Sequence, residues 1–130
     1  MTSDASATIY IVEDDEAVRS ALGLLAVSRG WQVQLFPSAQ AFLAEPDRIK
    51  AHPACLVVDL QMPDMNGAEL LENLQAANCQ VPTIVLTAWP ESDMASRALA
   101  AGADQIMAKP CNPGHWLRTV ESLLVSKGIP

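Results

Sequence analysis

Short apolar segments rich in β-branched residues alternate with segments of helical periodicity along the whole chain of 130 residues. The apolar segments cover residues 7–12, 31–36, 54–58, 81–86 and 104–108. The segment at residues 54–58 is apolar throughout, which is typical of a strand covered on both faces. Five strand–helix units with short connections predict a doubly wound parallel sheet flanked by helices.

Capping residues and stop signals bound the helices between these strands. The five helices are predicted to cover residues 16–29, 38–43, a segment after 66, 90–101 and 113–126. Asn66 and Glu69 have the spacing of a capping box, and Asn112 with Pro113 supplies the N-cap and first position of the last helix. The helical pattern places Leu99 in the core. Trp31 and Trp116 are expected to be half-buried.

Composition limits the possible classes of protein. The length suits one domain, predicted at residues 8–126 between a flexible tail at 1–7 and a short tail at 127–130. The net charge of -7 argues against direct binding of nucleic acid. No apolar run is long enough to span a membrane, no signal peptide is evident, and the three cysteines lie far apart. These features favour a cytoplasmic protein.

Charged and hydroxyl side chains stand directly after four of the five predicted strands. In chain order they are Glu13, Asp14, Asp15, Asp59, Thr87 and Lys109. The carboxyl ends of parallel strands share one edge of the sheet, and ligands bind at that edge in doubly wound folds. Each residue alone has an ordinary explanation, such as a helix-capping acid or a solvated lysine. Their convergence on one edge favours a single site.

The residue types at this edge suit phosphoryl chemistry. Neighbouring carboxylates repel each other unless a cation lies among them, and Mg²⁺ binds carboxylates together with phosphate oxygens. Mg²⁺ and the ammonium of Lys109 would balance three acids and allow the site to accept a phosphoryl group. Asp59 could act as the nucleophile, because carboxylates form aspartyl-phosphates. Thr87 would donate its hydroxyl proton to a phosphoryl oxygen.

Five fragments in order resemble the receiver domains of two-component response regulators: IVEDDEAVR, VVDLQMPDMNG, IVLTA, AGAD and KP. The resemblance covers nearly the whole chain and implies a flavodoxin-like fold with strand order 2-1-3-4-5 and three α/β/α layers. It also implies that a histidine kinase phosphorylates Asp59. Mg²⁺ or Mn²⁺ would be held by Glu13, Asp14, Asp59 and the backbone carbonyl of Gln61.

The same resemblance assigns the remaining site residues. Thr87 and Lys109 would bind the phosphoryl group, and the bond between Lys109 and Pro110 would be cis. Phosphorylation would change the surface of helix 4, strand 5 and helix 5, through which a homodimer could form. The sequence around Asp59 is similar to that of receivers that precede a LuxR-type helix-turn-helix output domain. Such a domain would regulate transcription and would follow residues 127–130.

Three positions depart from the family pattern or qualify it. Ile106 stands where similar domains often have Phe or Tyr, so an aromatic switch is not expected. Trp89 is a bulky residue two positions after Thr87, where it could screen the phosphoryl group from water. Gln61 lies two positions after Asp59 and could orient or exclude that water. Trp89 and Gln61 are therefore predicted to set the dephosphorylation rate.

Three other functions remain open at this point. An aspartyl-phosphate hydrolase generally needs a second acid two residues after the nucleophile, where this chain has Gln61. An interaction module that is never phosphorylated would not need the set Asp59, Thr87 and Lys109, although Ile106 is compatible with it. A flavin carrier would need a phosphate-binding loop after the first strand, where acids occur instead.

Overall fold

A parallel five-stranded sheet forms the centre of the computed structural model, which describes residues 7–45 and 53–125. The strand order is β2-β1-β3-β4-β5, and the pairs are all parallel. The predicted fold is therefore confirmed. In chain order the elements are β1 (Thr8–Val12), α1 (Glu16–Ser28), β2 (Gln32–Phe36), α2 (Ala39–Leu43), β3 (Ala54–Asp59), α3 (Gly67–Ala76), β4 (Thr83–Thr87), α4 (Asp93–Ala100), β5 (Gln105–Ala108) and α5 (Pro113–Leu123).

Two apolar cores lie on opposite faces of the sheet. Successive residues of a strand point to opposite faces, so Leu56 and Val58 join one core while Cys55 and Val57 join the other. Helices α2, α3 and α4 cover the first face, and α1 and α5 cover the second. The central strands are buried along their whole length, as the uniform apolar pattern of residues 54–58 predicts.

The predicted caps are present where the structure describes them. The side chain of Asn66 accepts the N–H of Glu69, and the Glu69 carboxylate accepts the N–H of Asn66, so the capping box is complete. Asn112 accepts the N–H of His115 at the start of α5. Asp15, which had no assigned role, caps α1 by accepting the N–H of Val18.

Several boundaries and burial predictions are corrected. Strand β4 begins at Thr83 rather than residue 81, since Pro82 has no N–H to donate to a ladder. Helix α4 begins at Asp93, because Ser92 caps it. The prediction that Leu99 is core is wrong, as half of its surface is exposed. The two tryptophans expected to be half-buried, at positions 31 and 116, are both buried.

The ends of the predicted domain fall partly outside the described residues. Residues 1–6 and 126–130 are not described, so the two predicted tails are not tested there. Ala7 is buried, and its carbonyl accepts the N–H of Gln32. Within residues 7–45 and 53–125, none of the helices has the length and apolarity that crossing a membrane would require.

Candidate functional site

Asp59 is the last residue of β3, and its position is fixed by backbone contacts on both sides. The next residue, Leu60, donates its N–H to the carbonyl of Leu86 at 2.8 Å and accepts the N–H of Gly67 at 2.9 Å. A Cβ atom on Gly67 would lie 2.8 Å from the backbone oxygen of Asp59, so glycine is needed for this close approach. The start of α3 therefore packs directly against the end of the strand, and the side chain of Asp59 is only 4 % exposed.

The acids after β1 lie beside Asp59. One carboxylate oxygen from each of Glu13, Asp14 and Asp59 lies within 4.8 Å of the others. Glu13 is 1 % exposed, and its carboxylate accepts the N–H of Asp15 at 3.0 Å. Its backbone carbonyl accepts a hydrogen bond of 2.8 Å from the guanidinium of Arg19. The structure thus brings together the first two predicted acids, while Asp15 caps α1.

Lys109 joins the acids from the end of β5. Its Nζ atom lies 3.3 Å from Oε1 of Glu13 and 3.3 Å from Oδ1 of Asp59. Its backbone N–H donates to the carbonyl of Thr87 at 2.8 Å, and the following bond to Pro110 is cis. Partial burial lowers the pKa of Lys109, but the charges of Asp59 and Glu13 outweigh that effect, so its pKa is raised overall.

The electrostatic balance at Asp59 favours an added cation. The pKa of Asp59 is raised to about 7, because burial and the charge of Glu13 together outweigh the opposing effect of Lys109. Oδ1 of Asp59 is buried and receives no hydrogen bond from the part of the chain described here. Lys109 lies at ion-pair distance but is not aligned as a donor to it. Three neighbouring carboxylates, one of which has a buried oxygen without a donor, fit a hard divalent ion.

Thr87 ends β4 on the same edge and is fully buried. Its hydroxyl donates to Oε1 of Gln61 at 2.9 Å, and the N–H of Trp89 donates to the Thr87 oxygen at 3.0 Å. The indole of Trp89 is 63 % exposed. Sequence reasoning placed Gln61 and Trp89 near the site but missed their bonds to Thr87, because Gln61 is 26 residues away along the chain.

Ile106 lies in β5, and β4 separates this strand from β3, which carries Asp59. It is half-buried and packs against the core formed with α2, α3 and α4. The side chain therefore belongs to the packing of this face.

Comparison with known proteins identifies the family. Residues 9–121 match the response regulator receiver domain. The chain belongs to this family. It is 42% identical over 115 residues to the transcriptional regulatory protein FixJ of Rhizobium meliloti (strain 1021), covering 88% of this chain and 55% of the relative. It is 34% identical over 122 residues to the response regulator protein TodT of Pseudomonas putida, covering 94% of this chain and 53% of the relative.

Solved receiver structures agree with this assignment. The crystal structure of FixJ-N superposes with a TM-score of 0.80 and 36% identity, covering 91% of this chain and 93% of that one. The response regulator StyR gives a TM-score of 0.83 and 36% identity, covering 93% of this chain and 60% of StyR. The receiver domain spans about half the length of the curated relatives it matches.

Proposed function

We propose that Asp59 of this receiver domain accepts a phosphoryl group from a histidine kinase and that the chain is a phosphorylation-dependent signalling switch. The observation that carries the proposal is the buried Oδ1 atom of Asp59, which has no hydrogen-bond donor within residues 7–45 and 53–125 and lies 3.3 Å from Nζ of Lys109. A carboxylate held in this way is poorly solvated. Such a group is a suitable nucleophile for phosphorus.

Glu13, Asp14 and Asp59, with the backbone carbonyl of Gln61, would hold Mg²⁺ or Mn²⁺. When bound, the ion supplies positive charge that offsets the charge of the phosphoryl oxygens. Glu13 is fixed by Asp15 and Arg19, so this part of the ligand set is formed before the ion binds. Preformed ligands reduce the ordering cost of binding.

The transfer itself involves one bond formed and one bond broken. A carboxylate oxygen of Asp59 attacks phosphorus in line, the phosphorus–nitrogen bond of phosphohistidine breaks, and the imidazole keeps the electron pair. Lys109, whose pKa is raised, stays protonated and stabilises the transferred oxygens. Thr87 donates its hydroxyl proton to one of them. Water later attacks the phosphorus of the acyl phosphate, the bond from phosphorus to the Asp59 oxygen breaks, and inorganic phosphate leaves, which restores the carboxylate.

The surface beside the site supports a helical protein partner. An apolar cleft of about 500 Å³ lies between α1 and the segment that follows β5, and Leu22, Lys109 and Cys111 are among its lining residues. Leu24 on α1 is also largely exposed. An apolar cleft that opens next to a reactive group would accept the helix that carries the phosphohistidine of a kinase.

The output of the switch would be a changed surface formed by α4, β5 and α5. Phosphorylation adds one to about two negative charges and would draw Thr87 and its loop inward. Leu99 of α4 is half exposed on this surface and would contribute apolar area to a homodimer. Relatives that contain a further segment are named transcriptional regulators. We infer that this receiver regulates transcription in the cytoplasm through an output domain of the LuxR type.

Phosphorylation by a small acyl phosphate tests the proposal directly. Wild type incubated with Mg²⁺ and acetyl phosphate should gain the mass of one phosphoryl group, and Asp59→Asn should not. Asp64→Asn is the matched control, since Asp64 is an exposed aspartate five residues away at positive φ, which asparagine also tolerates. It should be phosphorylated like wild type.

Three results would contradict the proposal. An unmodified wild-type mass would favour an interaction module that is not phosphorylated. Continuous release of inorganic phosphate, at many turnovers per minute without an accumulated phosphoprotein, would favour an aspartyl-phosphate hydrolase. Incorporation that survives in Asp59→Asn would place the acceptor elsewhere.

A further inference from the structure

The hydroxyl group of Thr87 has two partners in the resting state. The hydroxyl donates its proton to Oε1 of Gln61 at 2.9 Å, and its oxygen accepts the N–H of Trp89 at 3.0 Å. Thr87 is fully buried, so water does not replace either partner. Because the Trp89 N–H points at the oxygen, the single proton is left for Gln61.

The Thr87 proton needs a different acceptor in the phosphorylated state from the one it has in the resting state. A phosphoryl oxygen only accepts hydrogen bonds, so Thr87 must donate its proton in order to bind it. A hydroxyl has one proton and cannot donate fully to two acceptors. The bond to Gln61 must therefore break before Thr87 can bind the phosphoryl group.

We propose that Gln61 is a positioning residue. Its side-chain amide holds Thr87 in the resting orientation and thereby opposes activation of the receiver domain. The inference rests on the proposed function and extends it to the regulation of the same site. This role of Gln61 differs from orienting or excluding water, because Gln61 acts here on the equilibrium between two orientations of Thr87. Gln61 is half-buried and lies in the connection after β3, so its side chain can turn towards solvent when Thr87 leaves.

The physical consequence is a penalty on binding of the phosphoryl group. The net contribution of one intramolecular hydrogen bond corresponds to roughly a fivefold change in an equilibrium constant. Removing the acceptor of Gln61 should remove this penalty. The resting protein should lose stability at the same time, because the buried hydroxyl proton would have no acceptor.

Binding of beryllofluoride, a stable phosphoryl analogue, in the presence of Mg²⁺ tests the first consequence. Gln61→Met keeps the length of the side chain and leaves the backbone carbonyl in place, but it removes the amide oxygen. It should bind beryllofluoride roughly fivefold more tightly than wild type. Gln75→Met is the matched control, because it makes the same substitution at an exposed position of α3 outside the site, and its affinity should equal that of wild type. Equal or weaker affinity in Gln61→Met would overturn the proposal.

A double-mutant cycle in metal-free protein tests the bond without any ligand. Gln61→Met should lower the stability to urea when Thr87 is present and should have no such effect in a Thr87→Val background. Gln61→Glu, which keeps an acceptor oxygen, should retain coupling to Thr87. Additive effects of the two substitutions would overturn the proposal.

Comparing beryllofluoride binding by wild type and by Gln61→Met separates this proposal from the proposed function. Wild type that binds no beryllofluoride would refute the function of the site, and the regulation with it. Wild type that binds beryllofluoride, with no gain in Gln61→Met, would leave the phosphoacceptor role intact and refute the role of Gln61 alone.

Discussion

The two ends of β4 carry similar polar residues but satisfy them differently. At the amino end, Thr83 donates its N–H to Asp104 at 2.8 Å and its hydroxyl to the carbonyl of Val81 at 2.8 Å. Asp104 in turn donates its N–H to the carbonyl of Thr83 at 2.9 Å. Beside the carboxyl end, Asp59 of the neighbouring strand β3 keeps a buried oxygen that has no donor among the described residues, and burial is the largest cause that raises its pKa to about 7.

Cavity size does not distinguish these two ends. A cavity of about 470 Å³ opens beside Thr83 and Asp104, close in volume to the cleft of about 500 Å³ beside Lys109. The residues at the amino end stabilise the fold, since Thr83 and Asp104 are hydrogen-bonded to each other. Reactivity is expected where buried polar groups are left incompletely paired, because binding a ligand then lowers their free energy.

Glycine substitutions at the two ends should give the largest difference. Gly67→Ala places a Cβ atom 2.8 Å from the carbonyl of Asp59 and should cost about 1 to 3 kcal/mol of stability. It should also slow phosphorylation, since the end of β3 must move. Gly102→Ala, at a φ of +112°, should cost a similar amount through backbone strain and leave phosphorylation unchanged.

Urea unfolding and the rate of phosphorylation by acetyl phosphate measure these two effects. Equal phosphorylation rates in Gly67→Ala and Gly102→Ala would show that the position of Asp59 does not depend on its contact with α3.

Removal of the aspartate at the amino end should lower stability. Asp104→Ala leaves the N–H of Thr83 without its carboxylate partner, and an unsatisfied buried group costs about 1 to 3 kcal/mol. The extent of phosphorylation should match that of wild type. Urea unfolding together with intact mass checks both statements, and a loss of phosphorylation would mean that the two ends of β4 are coupled.

The carboxyl end should make the stability of the metal-free protein fall as the pH rises. An unfolded aspartate loses its proton near pH 4, at about its ordinary pKa, whereas folded Asp59 keeps it up to about pH 7. The folded state therefore binds more protons in this interval, and its contribution is complete below about pH 4 and lost as the pH passes about 7. Asp59→Asn should remove this part of the slope.

Mg²⁺ should reverse that loss, because it stabilises the ionised carboxylate. At a concentration tenfold above its dissociation constant, an ion that binds only the folded state adds about 1.4 kcal/mol. The gain should be greatly reduced in Asp59→Asn. Urea unfolding at pH 5 and pH 8, with Mg²⁺ or with EDTA, measures both effects, and a pH slope that is unchanged in Asp59→Asn would contradict the assignment.

Truncation of Trp89 should give the smallest effect and should be kinetic. The exposed indole is expected to screen the phosphoryl group from water, so the acyl phosphate of Trp89→Ala should decay faster. A barrier change below about 1 kcal/mol corresponds to less than about fivefold in rate. The decay is followed by intact mass after removal of the donor, and a half-life equal to that of wild type would exclude a screening role.

The fold was largely predictable, because local and global signals agree in this chain. The apolar segment before Asp59 predicts a buried strand, and the Asn66–Glu69 spacing predicts the complete capping box that follows it. The boundaries of β4 and α4 were less accurate. There, the missing N–H of Pro82 and the cap at Ser92 decide between several reasonable starting points.

The grouping of the site was predictable, whereas its side-chain bonds were not. Parallel topology alone brings the strand ends together, so the neighbourhood of Asp59 and Lys109 follows from chain order. The bond between Thr87 and Gln61 depends on two rotamers and on the path of the loop after β3. The burial of Trp116 depends likewise on how α5 packs against the sheet.

The hydrogen bond from Lys109 to Glu13 joins residues 96 positions apart, which has a consequence for biosynthesis. During synthesis the acids leave the ribosome long before the lysine that balances them, because β5 is the last strand of the sheet in chain order. A nascent chain therefore lacks part of the constellation that accepts phosphate. Incorporation of phosphate would report that translation and folding of the whole sheet are complete.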